Sequence, residues 1–341
     1  MRVAIITRDQ NRSPKILAIG LQDMLKKIGI ESKIFFESTG YLQRISSVFR
    51  RTRYPISFHY RLRRKLKHLT IDWQITKELR QFDIIVVSEC TPNAFWKGYM
   101  DIEKLREKTG KPIALYEVYY LGNSETHTKG LKENGDYGIE RYDWHFSVSD
   151  TTEVKSSPLN AIKWSVIGLN LDVFKIEVKR RSGFMTCFDF PQFGYEKIRS
   201  EQMEVVADLG INKVILEGEY EMEEIREVYS MSSVLFVQFP EAFGLPIAEC
   251  LASGCKIYVP NIYWAMSWRL QDENGNWFLP EECFTIYKDA QDLKSKLSYF
   301  YSSYDVDNTP KLIRDAFLKY YPDFYIGDAK SLEVGLSNLV G

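Results

Sequence analysis

Two periodicities alternate along this chain. Short, mostly apolar runs occupy positions 3–7, 30–36, 83–88, 112–120, 184–188, 213–216, 234–239 and 256–259, with the length and composition of strands buried on both faces. Between them lie stretches with helical spacing. Leu17, Leu21, Met24 and Ile28 recur on one face, preceded by Ser13 and Pro14 as cap and first-turn residue and stopped by Gly29. The pattern predicts further helices over 102–108, 195–209, 223–229, 288–301 and 311–320. Strand and helix therefore alternate, as parallel sheets covered on both faces require. No run approaches the ~18 apolar residues of a membrane span, and the opening MRVAIITRDQ lacks the apolar core of a secretory leader.

The most informative stretch is FVQFPEAFGLPIAECLASGCKIYVP, residues 236–260. It reads as a strand, a tight turn, a helix and a second strand. Pro246 suits a first helical turn, where its missing N–H would be unpaired anyway. Gly254 stands where a helix end needs positive φ. The helix thus starts near Gly244 and Leu245, beside a strand end, and its free N–H groups and dipole form an anion site. Glu241 and Glu249 frame that start. Eight residues apart, they need not share a face and can hold different parts of one extended ligand.

With Phe-Gly-Leu-Pro between the two glutamates, the stretch resembles the donor-site motif of retaining GT-B glycosyltransferases of the GT4-like group. The resemblance implies a GT-B architecture, two Rossmann-like doubly wound α/β domains facing a cleft. It implies that Glu241 contacts the donor sugar, that the backbone at Phe243, Gly244 and Leu245 holds the diphosphate, and that Glu249 binds the ribose. Ala242 stands where that family usually has glycine. Gly218 matches a glycine that lets the chain pass close to the nucleotide, and Lys197, favoured over Arg199, is offered as a diphosphate cation. The family's histidine near a strand end is replaced here by Glu117, Val118 and Tyr119. His127, in the loop GNSETHTKG, is the candidate substitute or else an exposed loop residue. His145 is read as a packing residue of a further strand. The implied donor is a UDP- or GDP-sugar, with no protein-bound cofactor or metal, and the implied acceptor is a glycan or lipid-linked molecule.

The 341 residues, 45% hydrophobic and 27% charged, suit two globular domains rather than disorder. The expected boundaries are 1–165, 166–315 and a helical tail 316–341 that returns to the first domain. WSVIGLNLDVF, residues 164–174, resembles the family's interdomain turn, and Lys179, Arg180 and Arg181 read as a basic linker. The net charge of −1 hides a local excess. Across the excursion 41–70, Arg50, Arg51, Arg53, Arg61, Arg63 and Arg64 stand among aromatic and aliphatic residues. That mixture suits an acidic acceptor or an anionic membrane surface, and less well a nucleic acid; solvated charges paired elsewhere are the plainer alternative. Five cysteines, an odd number without a CxxC pair, read as buried thiols of a reducing cytosol. Asp305-Val306-Asp307 has the form of a metal-binding Asp-x-Asp but a turn-rich setting, and reads as a loop. Three functions remain open: a cytoplasmic or peripheral-membrane glycosyltransferase, a catalytically silent homologue that binds a nucleotide sugar or a partner protein, and a nucleic-acid-modifying transferase using residues 44–67.

Overall fold

The computed structural model describes residues 1–7, 12–36, 77–89, 102–117, 141–148, 163–218, 220–239, 241, 243–261 and 268–341. His127 and the arginines of 41–70 lie outside them. The described chain divides into two compact units. One takes in the residues up to Val173 and again Gly327–Gly341; the other takes in Phe174–Ile326.

The first unit is built on a six-stranded parallel sheet in the order β2-β1-β3-β4-β5-β6. Its strands are β1 (Arg2–Thr7), β2 (Glu31–Phe36), β3 (Ile84–Ser88), β4 (Ile113–Glu117), β5 (Trp144–Ser147) and β6 (Trp164–Val166). The uninterrupted apolar runs of β1, β3 and β4 are buried along nearly their whole length, as strands with covered faces must be. Helices α1 (Arg12–Lys27) and α2 (Ile102–Thr109) belong to this unit. Helix α1 opens at Arg12, so Ser13 sits inside the first turn rather than capping it. Pro14 still falls where no N–H partner is needed, and Gly29 closes the helix at φ 73°.

A 3-10 turn, Leu171–Phe174, spans the change from the first unit to the second. The segment read as an interdomain turn is anchored here. Ile167, Leu169 and Leu171 are buried, and the buried Asn170 donates to the Gly20 carbonyl at 3.3 Å and to Asp23 at 2.8 Å. The unit therefore runs to Val173 rather than 165.

The second unit carries the five-stranded parallel sheet β13-β10-β9-β7-β8. Its elements in chain order are β7 (Met185–Phe188), α3 (Glu196–Asp208), β8 (Asn212–Ile215), α4 (Met222–Met231), β9 (Val234–Phe236), α5 (Leu245–Ala252) and β10 (Lys256–Pro260). The hairpin β11 (Leu270–Gln271) and β12 (Trp277–Phe278) follows, then β13 (Phe284–Tyr287), α6 (Ala290–Ser303), α7 (Thr309–Tyr320) and α8 (Pro322–Tyr325). Strand order reverses between β7 and β9, the switch point outside which open α/β sheets bind ligands. The last helix, α9 (Ala329–Val340), belongs to the first unit. The change-over falls at Gly327, later than residue 316, because α7 packs on α5 and α8 completes the aromatic cluster beside it. Asp305 lies in the turn that leads into α7. Its carboxylate accepts from the Asp307 and Asn308 backbones at 2.9 and 3.1 Å and from the Asn308 side chain at 2.7 Å.

Candidate functional site

The site is built around α5, which follows β9 at the switch point of the second sheet. Gly244, at its N-terminal cap, has φ 64°, a conformation that disfavours any side chain. Space forbids one as well: a Cβ there would stand 2.4 Å from Cγ of Glu241 and 2.9 Å from Cδ1 of Ile247. The glycine thus lets the Glu241 side chain pack directly against the start of the helix. The Gly244 carbonyl accepts from Ile247 at 2.9 Å, and Pro246 offers no N–H. Phe243 turns its ring into an aromatic cluster, stacked on Trp268 at 5.4 Å and edge-on to Phe324 at 4.7 Å. Trp268 Nε1 donates to the Phe243 carbonyl at 2.6 Å, and Tyr321 donates its hydroxyl to the Trp268 carbonyl at 2.6 Å. The turn before the helix is therefore held from behind by packed rings and hydrogen bonds.

Glu249, one turn into α5, is only 1% exposed. Its Oε1 accepts from Arg226 Nε of α4 at 2.8 Å. The guanidinium carbon lies 4.0 Å from the centre of the Phe174 ring. Arg226 is the residue that sequence reasoning missed: in an acidic helix, MEEIREVYSM, it looks like an ordinary surface cation.

The far end of α5 is closed. Gly254, at φ 79°, donates to Leu251, and Cys255 donates to Cys250 at 2.8 Å, the paired bonds of a Schellman motif. Two arginines take the remaining carbonyls. Arg181, buried, donates to Ser253 at 2.8 Å, Gly254 at 3.0 Å and Ser230 at 3.1 Å. Arg314 donates to Ala252 and Ile176. Lys179 and Arg180, its neighbours in the supposed linker, make surface pairs with Glu227 and Asp307.

At the carboxyl edge of β7, Asp189 is buried, and its carbonyl accepts from Gln238 at 3.4 Å and from Arg199 Nη2 at 3.3 Å. Arg199 also lies 3.8 Å from Glu217, beyond the end of β8. Lys197 points elsewhere. Its side chain is 90% exposed and 3.7 Å from Glu201 on its own helix. Helical spacing explains the difference, since two residues apart on one helix face nearly opposite ways. Gly218 has φ 83° with open space where a Cβ would be.

The first unit places Glu89 and Glu117 at the carboxyl edge of β3 and β4, and His145 on the neighbouring strand β5 beside Glu117. All three are buried. His145 Nε2 lies 2.8 Å from Glu117 Oε1. Burial, then the charges of Glu89 and Glu117, pushes the Tyr142 phenol upward. The glutamate at the strand end where the resemblance expected a histidine is thus bound to a histidine of the next strand.

Solved structures resemble the chain over nearly its whole length. The Anabaena protein HepE, solved with UDP and glucose, superposes with a TM-score of 0.55 at 11% identity, over 99% of this chain and 98% of that one. The fold is GT-B. A GT-B likeness of the same kind extends to sucrose-phosphate synthase from Thermosynechococcus elongatus, TM-score 0.55 at 12% identity over 99% of this chain and 98% of that one. It extends also to a protein described as a putative UDP-N-acetylglucosamine 2-epimerase of Listeria monocytogenes, TM-score 0.54 at 12% identity over 99% and 96%. No protein-family model and no curated protein matches the chain, so the likeness lies in the GT-B fold and not in shared sequence.

Four cysteines, Cys187, Cys250, Cys255 and Cys283, are buried free thiols, and burial pushes Cys283 up to about 12. No described helix is long and apolar enough to cross a membrane.

Proposed function

We propose that the chain is a glycosyltransferase that moves a sugar from a nucleoside-diphosphate sugar to a glycan or lipid-linked acceptor, with retention at the transferred carbon. The observation that carries this reading is the arrangement at α5. A helix N-terminus at the switch point has a buried glycine cap that presses one glutamate, Glu241, against it, while a second, Glu249, lies one turn further on. In this reading Glu241 orients the sugar and Glu249 meets the ribose. The backbone N–H groups at Gly244 and Leu245 would stabilise charge on the departing diphosphate. Preorganised donors of this kind are a large source of catalysis because they need no rearrangement as charge develops. Arg199 at the sheet edge, rather than the outward-facing Lys197, is the cation best placed to assist.

The neighbours are consistent with such a ligand, since HepE was solved with UDP and glucose. They do not choose the chemistry, because a named epimerase shares the fold and folds host many reactions. The buried Glu117–His145 pair favours a second reading, a silent homologue that binds a nucleotide sugar without turning it over. A thermal-shift panel of nucleotides and nucleotide sugars on the wild type and Glu249→Ala tests the first step. A rise with one nucleoside diphosphate that the variant loses supports the site, because a ligand binding only the native state stabilises it by mass action. No rise with any candidate at millimolar concentration removes it. Product analysis with the responding donor then separates transfer from epimerisation and from binding alone.

A further inference from the structure

Resting on that reading, we propose that Arg226 belongs to the nucleotide site and recognises a ribose hydroxyl jointly with Glu249. The guanidinium presents Nε–H and Nη2–H as parallel donors, a fork that matches both oxygens of a carboxylate. Here one prong is used: Nε donates to Glu249 Oε1 at 2.8 Å. Nη2 is out of contact with solvent and makes no hydrogen bond. The side chain itself is 16% exposed, so it borders the surface while Nη2 turns inward. A buried donor without a partner is costly, and a charged one more so.

The geometry is held rather than accidental. The plane of the guanidinium is fixed on one face by Phe174, 4.0 Å from the ring centre, and along one edge by Glu249. A group that settles beside both Nη2 and the Glu249 carboxylate must accept a hydrogen bond from the first and donate one to the second. A hydroxyl does both. A phosphate oxygen would accept from the arginine but face the carboxylate with like charge. The pair therefore selects a hydroxyl, and the ribose of the donor nucleotide supplies two. Arg226 and Glu249 neutralise each other, so the ribose docks on a pre-oriented neutral pair and the diphosphate is left to the helix N-terminus.

The test is calorimetric titration of UDP and GDP, and of their 2′-deoxy and 3′-deoxy counterparts, into wild type and Arg226→Met. For the wild type, removing one of the two hydroxyls should weaken binding roughly 10- to 100-fold, the range for a lost hydrogen bond to a charged group. Arg226→Met should bind the ribonucleotide about as weakly as the wild type binds that deoxy form, with no further loss when the hydroxyl is removed. Arg226→Lys should behave likewise, since it keeps the charge but not the fork. Should Arg226→Met leave Glu249 buried without its cation and fail to fold, the double variant Arg226→Met, Glu249→Gln removes both charges and must show the same indifference to the hydroxyl. Equal weakening of ribo and deoxy forms would mean a structural role only and overturn the proposal, as would unchanged binding. Failure of the wild type to bind UDP or GDP would overturn the donor-site reading along with it; normal wild-type binding with undiminished discrimination in the variants sinks the Arg226 assignment alone.

Discussion

The two ends of α5 are built on opposite principles. At its C-terminus the carbonyls of Ala252, Ser253 and Gly254 are met by Arg314 or Arg181, and the chain reverses through a glycine. At its N-terminus the capping residue has no side chain to offer, the next residue but one is a proline, and the neighbouring arginine holds a donor in reserve. Cations at a helix C-terminus also complement its dipole. The closed end is where this helix draws stability, and the open end is where, in the proposed reading, a ligand docks. Substitutions should therefore separate the two: damage at the C-terminus should appear first in folding, damage at the N-terminus first in binding.

The sharpest way to break the comparison is Arg181→Met. It leaves the carbonyls of Ser230, Ser253 and Gly254 without their buried donor, and removing one member of such a network should cost about 3–5 kcal/mol. Urea unfolding should show that loss, with nucleotide affinity of the remaining folded protein close to normal. An equal fall in affinity would show that the two ends are coupled. Gly244→Ala comes next. Positive φ and the collision with Glu241 should cost roughly 2 kcal/mol together, and nucleotide affinity should fall by more than about tenfold on the same titration. A variant that kept its affinity would separate Glu241 from the site. Trp268→Phe keeps the stacked ring but removes the donor to the Phe243 carbonyl, for about 1 kcal/mol of stability; a rise in the KM for donor, with kcat unchanged, would place its effect in the turn.

The smallest effect is expected at Asp305. Hydrogen bonds from the Asn308 side chain and then from the Asp307 and Asn308 backbones hold its carboxyl below the ordinary aspartate range. A depressed folded-state pKa gives stability that is present at neutral pH and is lost as the pH falls through the lowered value. Asp305→Ala should therefore lower Tm slightly at pH 7, and the difference from wild type should begin to close below the ordinary aspartate pKa and vanish once the pH lies under the lowered value. A gap that persisted there would mean that the turn, not the charge, supplies the effect.

How much of this was legible in the sequence follows from how local each signal is. The start and end of α5 were readable because Gly244, Pro246 and Gly254 constrain backbone conformation wherever they stand. The strands were readable because uninterrupted apolar runs have few other uses. Arg226 and Arg181 were not, because their roles are set by residues 23 to 73 positions away, and nothing nearby marks one arginine as buried and its neighbours as exposed. The choice between Lys197 and Arg199 turned on the phase of a helix whose packed face the sequence leaves poorly marked: Gln202 is buried on α3, donating to the Val237 carbonyl at 3.1 Å and to the Tyr287 hydroxyl at 2.7 Å. The extent of the first unit was missed because Asn170 looks like a turn residue until its partner, Gly20, is known.

The return of the chain at Gly327 has a consequence for the order in which the protein can be made. Gly335 lies so close to Phe146 that a Cβ would stand 2.5 Å from its ring, and Asp328 donates its backbone N–H to Ile167 at 2.7 Å. The first unit is thus completed by residues that are made only after those of the second unit. Residues 174–326 belong to the other unit, and at 5–20 residues per second their synthesis takes on the order of ten to thirty seconds. During that interval the nascent first unit waits with the Phe146 side of its sheet uncovered, while the second unit has its whole sequence available and can fold first.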